Sequence, residues 1–210
     1  MYDAVKAAWR AWNTPFEGVI YWLYLDTHVP PLVTTGLGNM VDPVDMALGL
    51  PWTVGTNGPL ATQAQIRSEW QQVKSAVYLS RRGAGAAEEL TTLRLSDASI
   101  DDLCAEKLDE FETILKRHAA FAAMDDWPAD AQLGLMSMAW AMGPDFGAKW
   151  PHFSAAAAVA DFEAMSIGCA MNGSPPPAPR NAATKLAFFY AARVVSTGAD
   201  PSQLLSHTPG

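Results

Sequence analysis

Residues 16–39 read FEGVIYWLYLDTHVPPLVTTGLGN and hold only two acids, Glu17 and Asp26, nine positions apart. Glu17 stands between Phe16 and Gly18, at the head of an apolar, aromatic run. Such surroundings disfavour an ionised carboxylate, so the sequence predicts an acid that keeps its proton and can donate it. Asp26 is followed by Thr27, His28 and a polar turn, a wetter setting in which a carboxylate stays charged. Two carboxylates in unlike environments are the usual equipment for cleaving a glycosidic bond: one protonates the leaving oxygen, the other stabilises positive charge on the ring or activates water.

Trp22, Tyr24, Trp52 and Trp140 carry rings that stack on sugar faces. Trp140 falls in an apolar segment and reads as core, whereas Trp52, in a Pro/Gly loop, is the ligand-facing candidate. His28 lies two residues after Asp26, but His118, His152 and His207 show no ligand spacing with it, so no metal site is expected and His28 reads as a supporting histidine. Cys104 and Cys169 fall in apolar helical segments, as small buried thiols do, and form no C-x-x-C.

The elements that must position these groups follow from periodicity. Residues 3–12 read as a helix, interrupted by Asn13-Thr14-Pro15. Residues 16–25 suggest a short helix turning into strand, and Val33 to Gly38 a short β element with tight turns. Residues 40–61 read as loop. Thr62 caps a helix that places Ile66, Trp70, Val73 and Val77 on one face and ends near Arg81-Arg82-Gly83, and residues 83–89 read as a flexible linker. A third helix starts near Ser99 and closes at Lys116-Arg117, with Ile100, Leu103, Leu108, Phe111, Ile114 and Leu115 as its apolar stripe. Pro128 opens DAQLGLMSMAWAMG, which lacks a polar face and so belongs inside a bundle. An alanine-rich helix is expected over 154–171, a stiff proline-rich connection over 174–179, and a last helix over 181–196 with Leu186 on its buried side.

Composition narrows the function. Of the 210 residues half are hydrophobic and 17% are charged, ample for a core and unlike a disordered chain. Lys plus Arg is 14 against 22 Asp plus Glu, a net charge of -8, which argues against binding nucleic acid through its phosphates. The N-terminal stretch carries Asp3, Lys6 and Arg10 instead of an unbroken apolar run, and Leu133 to Met142 covers only half of what a bilayer needs. The expectation is a protein made in a bacterial host cytoplasm without a signal peptide and without membrane insertion.

The order Glu17-Gly18, Asp26, then Thr34-Thr35-Gly36-Leu37-Gly38 resembles the phage-type lysozymes, the T-even-like muramidases of glycoside hydrolase family 24. Residues 93–117 look like that family's helix linking two lobes, 130–143 is similar to its buried central helix, and 177–189 resembles its Pro-Asn-Arg segment and last long helix. The similarity runs in order over roughly residues 9–195 and is most specific over 17–38. Two extra residues, consistent with Pro30-Pro31, separate Asp26 from Thr34; Asn39 stands where the family often has His; Arg180 and Asn181 are in swapped order; and residues 41–92 are longer than the matching region.

The resemblance implies an α+β, mostly helical, lysozyme-like domain over 1–210, with a small β-hairpin lobe (about 13–61), a larger helical lobe (about 62–200 plus helix 3–12) and the substrate cleft between them. It implies hydrolysis, with inversion, of the β-1,4 bond between N-acetylmuramic acid and N-acetylglucosamine in peptidoglycan. Glu17 would be the general acid, Asp26 the general base, and Thr34 or Thr35 would position the water. Arg180 stands near where the family pairs an arginine with the catalytic Glu; Thr35, Trp52, Arg180 and Asn181 are the expected substrate contacts. No cofactor is needed, the partner is the glycan strand, and a monomer is expected that reaches the periplasmic wall after release or delivery. Two alternatives are a non-catalytic peptidoglycan-binding or virion-structural protein with the same fold, and a transglycosylase or chitinase relative.

Overall fold

The computed structural model describes residues 1–173 and 176–205. The chain is an α+β protein, mostly helical, with a small antiparallel sheet. It forms two compact units, one of Met1–Phe16 with the chain from Leu108 onward, the other Glu17–Lys107.

Helix α1 spans Asp3–Glu17 and runs through the expected interruption at Asn13-Thr14-Pro15. Pro15 removes a backbone donor from the last turn. The Thr14 hydroxyl donates back to the Arg10 carbonyl at 2.7 Å, and only Phe16 and Glu17 of the helix follow the proline. Gly18, at φ +71°, ends the helix in a left-handed conformation that a side chain would strain.

In the unit Glu17–Lys107, residues 16–25 contain no second helix. Ile20–Leu25 is strand β1, as its β-branched and aromatic side chains favour. It pairs antiparallel with β2 (Val33–Gly36), Tyr24 opposite Thr34 and Leu25 opposite Val33, with a bulge between Ile20 and Tyr24. Strand β3 (Asn39–Met40) completes the sheet, Thr35 opposite Asn39. The expected loop 40–61 holds a short helix, α2 (Val44–Leu48), and strand β4 (Thr53–Val54), which pairs with β5 (Leu93–Arg94).

Helix α3 (Gln63–Ser75) starts at Thr62 in a reciprocal capping box with Gln65 and stops short of the expected Arg81-Arg82-Gly83. Residues Ala84–Leu90 are a 3-10 helix rather than a linker, and buried Ala87 joins Ala76 and Leu79 in a cluster that Trp22 and Tyr24 pack against. Because α3 and this 3-10 helix pack on β1, residues 62–107 group with the sheet in one compact unit. Helix α4 (Asp97–Leu115) opens after Ser96, whose hydroxyl oxygen accepts from the Ser99 backbone N–H, three residues ahead of the expected start.

The other unit is built around α5 (Ala129–Met142), buried at every position from Ala129 to Ala139. A helix with no polar face needs protein on every side. Gly134 lets α8 (Ala178–Thr197) approach: a Cβ there would sit 3.0 Å from the Phe188 ring. Thr184 and Ser137, a polar pair on this contact, are joined by a 3.0 Å hydrogen bond. The alanine-rich stretch is two helices, α6 (Pro151–Ala158) and α7 (Phe162–Gly168), broken at Ala160, whose φ is +52°. The Asp161 side chain caps α7 by accepting from the Ala164 N–H. Leu186 is exposed, and Arg180, Thr184, Ala187, Phe188, Ala191 and Val194 form the buried side of α8 instead. In the expected proline-rich connection, Ser174 and Pro175 lie outside the described residues, and Ala178 and Pro179 begin α8. Among the described residues, no helix is long and apolar enough to cross a membrane.

Candidate active site

Glu17 is the last residue of α1, at the negative end of the helix dipole, an unfavourable position for an anion. Gly18 turns the chain into β1. Asp26 is the first residue past the other end of that strand. A helix end and a strand end thus carry the two acids, with six strand residues between them.

Tyr24 reports on both acids. Burial pushes its phenol well above the ordinary tyrosine range, and the negative charges of Glu17 and Asp26 each raise it further. Both carboxylates therefore act on one half-buried phenol inside the same unit.

Asp26 has its own partners. Its Oδ1 accepts from the backbone N–H groups of Leu32 (2.8 Å) and His28 (3.1 Å), and its Oδ2 lies 2.7 Å from His28 Nδ1. The carboxylate closes loop 26–32 and holds the imidazole of His28, whose side chain is 72% exposed. His28 is the supporting histidine that its spacing predicts, bonded directly to the acid.

Thr34 and Thr35 are 3% and 0% exposed, and their hydroxyls donate to the carbonyls of Leu32 (3.3 Å) and Ile20 (3.4 Å). Residues directly opposite in an antiparallel pair share a sheet face, so Thr34 lies on the Tyr24 face and Thr35 on the other. The turn beyond them depends on glycine. Gly36 sits at φ +62°, and a Cβ there would meet Asn39 Oδ1 at 2.8 Å. Asn39 Oδ1 accepts from the Leu37 N–H, while its Nδ2 is buried without a hydrogen bond.

Trp52 is not ligand-facing. It is 1% exposed and its indole N–H donates to the Ala47 carbonyl at 2.9 Å, so the loop around it wraps the ring as core. Arg180 is 4% exposed, donates to the Ser137 carbonyl at 3.3 Å and lies 4.8 Å over the Phe16 ring, which makes it a buried cation and not a surface contact for substrate. Asn181 is engaged with the backbone of Met171, accepting from its N–H at 2.8 Å and donating to its carbonyl at 2.9 Å. That clamp takes both ends of the amide. Trp140 packs against Trp9 and Phe111, with centroids 5.0 and 5.8 Å away, as a core ring does.

Two groups near the sheet escape sequence reasoning. Asp42 accepts from the Val33 N–H at 3.1 Å and from Lys74 Nζ at 2.5 Å, and Lys74 also donates to the Pro31 carbonyl, so this pair holds the strand that carries the threonines. Asp42 and Lys74 are 32 positions apart, and no local pattern links them. Among the described residues no group of three or more His, Cys, Asp or Glu could hold a metal ion; His207 lies outside them. Cys169 is buried, and burial pushes its thiol up to about 11, away from the thiolate a nucleophile requires.

Neither a protein-family model nor a curated protein sequence matches this chain.

Proposed function

We propose that this chain is a glycoside hydrolase that cleaves the β-1,4 bond between N-acetylmuramic acid and N-acetylglucosamine in peptidoglycan, a muramidase-type wall-lysing enzyme. The observation that carries the proposal is the placement of Glu17 at the helix end before β1 and of Asp26 just past the strand's other end, with both charges adding to the effect of burial on the Tyr24 phenol between them. Two acids held at the ends of one strand by different local environments have the division of labour that glycosidic cleavage needs. The resemblance of residues 17–38 to the phage-type lysozymes supplies the identity of the sugars.

The chemistry follows with atoms conserved. Glu17 gives its proton to the glycosidic oxygen as the C1–O bond breaks. A water adds to C1 from the opposite face, and its proton passes to Asp26. The product is inverted at C1 and carries a free reducing end. His28 holds the Asp26 carboxylate in place through Nδ1. Thr34 or Thr35 orients the water; the sheet face that Thr34 shares with Tyr24 supports Thr34.

Mass spectrometry of wall fragments released by the wild-type chain tests the reaction class. Hydrolysis predicts reducing muramic acid ends. Anhydro ends would replace it with the transglycosylase alternative, and release from chitin in place of peptidoglycan would point to a chitinase relative.

One observation favours a second reading. Every hydrogen bond of Asp26 goes to its own loop, and the hydroxyls of Thr34 and Thr35 bond to backbone. A non-catalytic peptidoglycan-binding or virion-structural protein would use these groups in just that way. It would bind wall and release no fragments.

A further inference from the structure

Within the unit Glu17–Lys107 lies a pocket of about 620 Å³ whose lining includes neither Glu17 nor Asp26. Its walls come from three separate stretches of chain. Tyr21 and Trp22 belong to β1, Thr56 and Asn57 to the turn after β4, and Arg94 and Asp97 to β5 and the start of α4.

The polar frame of this pocket is already set. The Arg94 guanidinium lies 5.2 Å over the Trp22 ring and donates to the carbonyls of Thr91 and Leu93. The Trp22 indole N–H donates to the Ala84 carbonyl at 3.0 Å, and the Tyr21 hydroxyl donates to Asp97 Oδ1 at 2.9 Å. Fixed groups of this kind cost a ligand little ordering entropy. Thr56 and Asn57 make no hydrogen bond within the chain among the described residues, so a hydroxyl and an amide remain for a ligand. Asn57 occupies φ +62°, where glycine would fit with less strain and would bring no amide.

The charges select the ligand class. Arg94 shares the lining with two acids, Asp97 and Glu88, the latter 4.0 Å from its Nη2, so the lining is net negative and disfavours phosphate or carboxylate. What fits is a neutral molecule with an apolar face for an aromatic ring and hydroxyl or amide groups around its edge. A pocket of this volume accommodates sugar units.

We propose that this pocket binds a neutral N-acetylated hexosamine unit of a glycan strand, as a holding site outside the pair of acids. It rests on the reading of this chain as a glycan-cleaving protein. The segment between β3 and β5 contributes Thr53, Thr56, Asn57 and Glu88 to the lining, which gives the longer 41–92 region a function.

The probe is triacetylchitotriose, titrated into the full chain and followed by amide chemical shifts in NMR and by calorimetry. Saturable shifts at Thr56, Asn57 and the 95–98 backbone are expected. Thr56→Ala combined with Asn57→Gly, which keeps the positive φ and removes both free polar groups, should weaken binding at least tenfold. Shifts that change with Glu17→Gln report the pair of acids and are read apart from those at Thr56 and Asn57. Shifts absent from those amides in the wild-type chain, or an unchanged affinity in the folded double variant, would overturn the proposal. The two readings fail separately: a chain that binds here and also lyses wall without Glu17 would sink the catalytic assignment alone, and a Glu17-dependent enzyme that binds nothing here would sink this one alone.

Discussion

Tyr24 joins the two acids in one electrostatic neighbourhood, and its titration is accessible to measurement. Negative charge opposes formation of tyrosinate, so removing one of the two charges must ease it. Glu17→Gln is therefore expected to move one tyrosine of the five to a lower titration pH in the alkaline ultraviolet spectrum, without reaching the ordinary value, because burial is the larger cause. An unchanged curve would mean that the Glu17 charge does not bear on the phenol. Glu17 and Asp26 stand out in the sequence because each is the only acid in its stretch of a nearly uncharged segment, and the structure sets them at a helix end and a strand end. The burial of Trp52 and Arg180 was not legible there. A tryptophan among prolines and glycines looks loop-borne, yet the loop folds over it. An arginine beside the proline-rich connection looks exposed, yet it finds a carbonyl and an aromatic face inside. The burial of Arg180 depends on a partner 43 positions away, which one segment does not encode.

Elements with a local signal came out as their residues suggest. Thr62 and Gln65 form a reciprocal cap, Pro128 precedes a helix without a polar face, and Gly36 and Gly38 make the hairpin turn. Thr62→Ala is expected to cost about 0.5–2 kcal/mol of folding stability, read by chemical denaturation, because it removes one partner of the box. A loss below the resolution of that measurement would mean the cap is not formed in solution. Misreadings arose where a local rule met an exception. Pro15 should break α1, but it falls in the last turn, where only Phe16 and Glu17 follow it. The alanine run should be one helix, but Ala160 turns left-handed and Asp161 starts a new cap. The Gly/Ala stretch at 83–89 should be loose, but Ala87 is small enough to pack under Trp22 and Tyr24. In the last two cases the deciding contact is a side chain whose role is invisible until the fold exists.

At the scale of the whole chain, the net charge of -8 sets how the proposed enzyme meets an anionic wall. Long-range repulsion between like charges slows encounter and weakens with salt, since the Debye length falls from about 30 Å at 0.01 M to about 8 Å at 0.15 M. Lysis of stripped cells is therefore expected to speed up between those ionic strengths. A rate that falls instead would indicate attraction by a basic surface that outweighs the net charge. The acid-base pair tests the account most directly. Glu17→Gln keeps the shape of the side chain and removes its proton, and general acid catalysis contributes roughly 10²–10⁴ in rate. Clearing of outer-membrane-stripped Gram-negative cells by the purified Glu17→Gln chain should fall at least a hundredfold while its circular dichroism and melting temperature stay those of the wild type; a folded variant that clears cells at the wild-type rate would contradict the assignment.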